Sequence, residues 1–180
     1  MSMKIVVATD HRGYALKEEV LLLLDELGHE VIYLGTDNPK SCDYPDTAYP
    51  AAKHVADGNV HRGILICGRG IGMSICANKV PGIRDALCHD ELTAELSRRH
   101  TNANILCLAS DMLGEKVMRR IVTSWLNTEF ESGGRHERRV KKISFIEQGK
   151  NPANAFYQSE APAVGYDNRP VLKIGRESRI

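Results

Sequence analysis

Short apolar runs alternate along the chain with longer stretches whose apolar residues recur every three or four positions. That alternation is the pattern of a parallel sheet whose strands are joined by crossover helices. Residues 4–9 predict a first strand, and residues 13–27 a helix that Gly28 terminates. A second strand follows at 29–34, then a loop rich in Asp, Asn, Pro and Ser, and a helix that opens after Pro45. Residues 63–67, 83–88 and 104–109 supply three more strands. Helices are expected over 73–79, from Asp90 as N-cap to about Arg99, and over 113–126 with Trp125 on the apolar face. The sum is an α/β unit of five βα repeats across roughly the first 130 residues. A charged helix at 135–148 then carries Val140, Ile143 and Ile146 as a narrow apolar stripe. Beyond Asn151 the sequence is punctuated by Pro and Gly, has no helical period, and reads as an arm, either draped over a neighbour or disordered.

In open parallel sheets, ligands sit beyond the carboxyl ends of the strands. Asp10 and His11 follow the first expected strand; Cys67 ends the third, and Gly68, Gly70 and Gly72 come next at alternate positions. Such a loop lets backbone N–H groups approach an anion, helped by the start of the helix behind it. A dinucleotide fingerprint needs Gly where Met73 stands and belongs after the first strand. A Walker A loop fails too, since no Gly-Lys-Ser/Thr closes the segment. What remains is an oxyanion-stabilising loop beside a catalytic thiol, or a tight turn with a structural cysteine, and spacing leaves both open. The first is chemically coherent. A thiolate can take a proton from carbon beside a carbonyl, and fixed donors stabilise the enediolate that results.

Other polar groups have bland readings beside the functional ones, and on spacing alone the bland ones are favoured. Asp10 and His11 can orient or protonate a ligand, or merely cap a helix. Tyr44, in the Asp43-Tyr44-Pro45 loop, can reach over a site or pack. His100 ends an expected helix, where a cation is favourable in any case. Arg135 and Arg139 stand one helical turn apart, able to hold a phosphate together or simply to face solvent.

Composition narrows the classes. Of 180 residues 42% are apolar, enough for a core, while 24 Lys and Arg against 23 Asp and Glu leave a formal charge of +1. That balance argues against a surface built to neutralise nucleic-acid phosphates. The 5 cysteines are an odd number without a C-x-x-C pair, so reduced thiols in a cytoplasmic setting are expected rather than a disulfide framework or a metal site. The longest aliphatic run, residues 20–24, is too short to span a bilayer, and the early charges Lys4 and Asp10 do not suit a signal peptide. The expectation is a soluble, cytoplasmic protein with no membrane and no nucleic-acid partner.

Taken together, these residues resemble the ribose-5-phosphate isomerase B family, which includes the galactose-6-phosphate isomerase subunits. The resemblance rests on six motifs in family order. They are Asp10-His11 with Gly13, Asp43-Tyr44-Pro45, Gly63-Ile64-Leu65-Ile66-Cys67-Gly68, Ala77-Asn78-Lys79 with Gly82-Ile83-Arg84, Ser97-Arg98 with His100, and Gly133-Gly134-Arg135-His136 with Arg139. The match covers residues 1–150 as one sugar-phosphate isomerase domain and leaves 151–180 as a tail, read as an interface arm. It implies a Rossmann-like three-layer sandwich with a five-stranded parallel sheet, a C-terminal helix and an extended tail. It also implies an aldose–ketose isomerase of the pentose phosphate pathway, converting ribose 5-phosphate to ribulose 5-phosphate without metal or organic cofactor. The expected assembly is a homodimer, or a dimer of dimers, with shared active sites. On this resemblance Cys67 is the base, and His100, with Asp10 nearby, opens the sugar ring. Tyr44 and Asn78 line the site, and Gly68, Gly70 and Gly72, with Arg69 among them, face the enediolate. His11, Arg135 and Arg139 receive the phosphate, the arginines coming from the other subunit.

Three positions depart from the family pattern. Arg69 stands where Thr or Ser is usual, Thr101 where Asn follows the catalytic His, and Asp111 where an Arg associated with phosphate follows the fifth strand. They open two alternatives. One is the same chemistry on erythrulose 4-phosphate, galactose 6-phosphate or allose 6-phosphate; the other is a sugar-phosphate-binding module without catalysis.

Overall fold

The computed structural model describes residues 2–155 and divides the chain into two compact units between Val140 and Lys141. The first unit holds a five-stranded sheet of β1 (Lys4–Thr9), β2 (Glu30–Tyr33), β3 (Arg62–Cys67), β4 (Asp85–Leu87) and β5 (Ile105–Ala109). All pairings are parallel and the spatial order is β2-β1-β3-β5-β4. The chain runs from β1 out to β2 and returns past β1 to β3. The winding direction therefore reverses between β1 and β3, whose registers match Thr9 to Ile66. Ligand crevices in open sheets form at such a reversal.

The helices are α1 (Lys17–Glu26), α2 (Pro45–Ala56), α3 (Ile71–Ala77), α4 (Glu91–Thr101), α5 (Glu115–Asn127) and α6 (Gly134–Glu147). Side chains alternate across a strand, and here both faces are covered, which is why the central strands are continuously apolar. Ile5, Val7, Ile64, Ile66, Leu106 and Leu108 cluster with Val20, Leu24, Ala94, Met118, Ile121 and Trp125, from α1, α4 and α5. Val6, Ala8, Leu65, Cys67, Ile105 and Cys107 cluster with Ala48, Ala52, Met73 and Ala77, from α2 and α3. The result is the expected three-layer α/β sandwich.

Element boundaries moved where local hydrogen bonds compete. The fourth strand is shorter than residues 83–88, because Ile83 N–H donates to Val80 O (3.1 Å) and Arg84 N–H to Asn104 Oδ1 (2.8 Å) instead of joining the ladder. The first helix is preceded by a 3₁₀ turn at Gly13–Leu16. Asp90 caps α4 as anticipated, its Oδ1 accepting from Thr93 N–H at 2.7 Å. The far end of α5 is held by Arg62, a buried side chain whose Nη1 donates to Trp125 O (3.0 Å) and Leu126 O (2.9 Å). In the second unit, Asn151 caps a 3₁₀ turn at Pro152–Asn154. The arm expected after Asn151 otherwise lies outside the described residues.

Candidate active site

At the carboxyl edge of the sheet, the ends of β1, β3 and β5 are tied together. Asp10 is buried, and its Oδ1 accepts from the N–H groups of Arg12 (2.9 Å) and Gly13 (2.8 Å). Ser110 reaches Cys67 O through both its N–H (3.0 Å) and its hydroxyl (3.2 Å). Cys67 closes β3 with 6% of its surface exposed, against 0% for Cys107 and 1% for Cys88. Burial pushes the Cys88 thiol up to about 11 and the Cys107 thiol well above its ordinary range, so neither can serve as a ready thiolate. Cys67 is thus the cysteine at the edge where ligands bind, while the others in the sheet are packing.

The glycine loop follows directly. Gly70 has a left-handed backbone (φ 71°), and a Cβ there would lie 2.2 Å from Leu87 Cδ1, so glycine is required on both counts. A Cβ on Gly72 would meet the Tyr44 ring at 2.7 Å, so the missing side chain lets Tyr44 lie over the loop. Tyr44 remains 41% exposed, and Arg69 points to solvent. Among the described residues the backbone N–H groups of Gly68 and Arg69 find no backbone acceptor. They are two donors beside the thiol with nothing yet to bind. His11 stands next to Asp10, with its Nδ1 accepting from Cys42 N–H at 3.3 Å.

His100, Arg135 and Arg139 form a second cluster elsewhere. α4 starts beyond the carboxyl end of β4 and runs back, so His100 in its last turn lies at the amino edge, near the start of β5. That is on the order of 15 Å from Cys67 along the strands. The His100 ring stacks on His136, with centroids 4.1 Å apart and planes 4° apart. Arg135 Nε donates to His136 Nε2 at 3.2 Å. The His136 pKa is lowered by desolvation first and then by His100, Arg135 and Arg139, with Glu131 pulling the other way. Ligand atoms of His100, Glu131 and His136 lie within 4.8 Å of one another, a set able to touch a cation. Two flanking guanidinium groups instead make the cluster a cationic surface suited to an anion.

Asn78 is at the amino edge as well. Its Nδ2 donates to Ser74 O (3.0 Å) and Asp85 O (3.2 Å), and its Oδ1 accepts from Asp85 N–H (2.9 Å), bracing α3 against β4. Arg98, part of the Ser97-Arg98 motif, is buried and caps its own helix through Asn102 Oδ1 (2.8 Å) and Ala103 O (2.6 Å). The sequence assigns no role to His136, although it stands within the Gly-Gly-Arg-His motif. Its stacking partner is 36 positions away by number, and only the fold brings the two together.

The ribose/galactose isomerase family matches residues 5–143. Ribose-5-phosphate isomerase B of Escherichia coli is 45% identical over 148 residues, covering 82% of this chain and 99% of the relative. D-erythrulose-4-phosphate isomerase of Pectobacterium atrosepticum is 38% identical over 146 residues, covering 81% and 95%. The solved structure of ribose-5-phosphate isomerase B from Clostridium thermocellum superposes with a TM-score of 0.80 at 48% identity, covering 82% of this chain and 99% of that one. With matches that run nearly end to end through its relatives, this chain belongs to the ribose/galactose isomerase family.

Proposed function

We propose that the protein converts ribose 5-phosphate to ribulose 5-phosphate, in an active site completed by a second copy of the chain. The observation that carries this is Cys67 at the strand end beside two unpaired backbone N–H groups, with Tyr44 across the loop. Chemistry of this class only relocates protons. His100 takes the proton of the anomeric hydroxyl and delivers it to the ring oxygen as the bond from carbon one to that oxygen breaks, which opens the sugar. Cys67, as thiolate, takes the proton from carbon two and the carbonyl oxygen on carbon one gains negative charge. The amides of the glycine loop stabilise that oxygen, where charge develops in the transition state. Cys67 then returns its proton to carbon one, and the hydroxyl proton on carbon two passes to the oxygen on carbon one, which yields the ketose and restores the thiolate.

Cys67 and His100 of one chain sit at opposite edges of the sheet, so a site using both requires two copies facing each other. Two features support that assembly. Ile71 and Ile75, one turn apart on α3 behind the glycine loop, are 54% and 58% exposed, an apolar patch that a partner would cover. The cluster of His100, His136, Arg135 and Arg139 is cationic, as the receiving half for a phosphate should be, with His11 on the opposing copy. Asn78 we assign to the α3–β4 junction, since its amide is fully engaged there. All 5 cysteines are free and no helix among the described residues is long and apolar enough to cross a membrane, which fits a cytoplasmic enzyme.

The test is turnover of four-, five- and six-carbon sugar phosphates, with solvent deuterium incorporation measured in wild type and in Cys67→Ala. Fastest turnover of ribose 5-phosphate is expected, with exchange reduced by about 10²–10⁴-fold in the variant, as for loss of a general base. Preference for a four-carbon sugar would move the assignment towards the erythrulose relative. Binding of sugar phosphates without turnover would reduce the protein to a binding module.

A further inference from the structure

A two-point ion pair lies on the glycine loop and has no part in the chemistry described so far. Arg12 donates to Asp111 from Nε (3.2 Å to Oδ1) and from Nη2 (2.7 Å to Oδ2). Both partners are fixed from below. Asp111 N–H donates to Gly68 O at 2.9 Å, and Arg12 O accepts from the Ser110 hydroxyl at 3.1 Å. The pair rests directly on the residue that follows the thiol. A Cβ on Gly68 would fall 2.7 Å from Asp111 Oδ2 and 3.1 Å from Arg12 Nε, so only glycine leaves room for it. The Arg12 side chain is nevertheless 53% exposed, and among the described residues its Nη1 edge has no partner.

An ion pair this exposed adds little to stability, because water screens it and two long side chains lose freedom. Its geometry has a better use. An arginine clamped by a carboxylate along one edge presents the other edge as a pre-oriented pair of donors, the fork that suits a phosphate or a carboxylate. It does so about one residue from Cys67 and next to His11. We infer that Arg12 binds the phosphate of the substrate through its free edge, and that Asp111 is the positioning residue that holds it there. This inference rests on the sugar-phosphate reading of the site. It adds a ligand supplied by the same chain as Cys67, alongside the arginines reached through the second copy.

Steady-state kinetics and calorimetric titration with inorganic phosphate test it together. Arg12→Ala should raise KM for the phosphosugar by about tenfold or more with kcat within about threefold, the pattern of lost ground-state binding. It should also weaken phosphate binding by a similar factor. Arg12→Lys, which keeps charge but not the fork, should fall between. Asp111→Asn should raise KM in wild type and have no added effect in the Arg12→Ala background, since it acts only through Arg12. Unchanged KM and unchanged phosphate affinity in Arg12→Ala would overturn the role of Arg12. An equal Asp111→Asn effect in both backgrounds would overturn the positioning role. If wild type turned over no phosphosugar, the isomerase reading would fail, while the phosphate titrations of wild type and Arg12→Ala would still decide this one.

Discussion

Asp85 opens β4 with neither carboxylate oxygen hydrogen-bonded, and burial pushes its pKa up from 3.8 to about 7 while Ser74 pulls weakly back. Folding therefore favours the protonated form. Its stabilising effect is fully present below the unfolded value of 3.8 and is lost as pH rises through about 7. Asp85→Asn keeps the shape and removes the titration. Its Tm should gain steadily on that of wild type across this window and then run parallel above it. A constant difference at every pH would show that Asp85 does not titrate in the fold. Asp85 is illegible in the sequence, because an acidic residue after Arg84 reads as a polar strand edge. Cys67 was legible as one of two readings, because a thiol closing an apolar strand ahead of three glycines fits an oxyanion-stabilising loop and a tight turn equally well. Asp111 was legible only as a departure. The reason for it, a partner 99 positions away in Arg12, needed the fold.

Arg62 shows the same limit among the secondary-structure elements. On the sequence it is the polar flank of a strand, yet it is buried and ties β3 to the last carbonyls of α5, its guanidinium 5.3 Å from the centre of the Trp125 ring. Arg98 lies over the same ring at 5.8 Å, and burial lowers its pKa to about 10. Arg62→Met keeps the hydrocarbon stem but leaves two carbonyls without donors. The expected loss is about 2 kcal/mol, since hydrogen bonds to a charged donor go while the desolvation of that charge is relieved. Chemical denaturation measures it, and a variant as stable as wild type would mean the carbonyls are satisfied otherwise. Strand and helix order was readable because short unbroken apolar runs, covered on both faces, differ so clearly from stretches whose apolar residues recur every three or four positions. What misled was competition at the ends, as where Val80 and Asn104 take the N–H groups expected to extend β4.

The fold sets the two halves of the proposed site at opposite edges of one sheet. The sequence places Cys67 and His100 only 33 positions apart by number, yet in a parallel βα pattern the helix that ends at His100 runs back to the amino edge before the next strand begins. Direction of a crossover helix is a property of the whole sheet. Two copies facing edge to edge would bring a thiol half and a cationic half to one sugar, and would bury the exposed Ile71 and Ile75. A mixing experiment measures this most directly. Cys67→Ala and His100→Ala are each expected to be inactive, and dissociating and reassociating them together makes mixed dimers. If each site draws its thiol from one copy and its imidazole from the other, random pairing should restore about a quarter of wild-type activity. Persistent inactivity of a mixture proven to contain mixed dimers would contradict the account, because it would mean that the two groups do not meet across two copies.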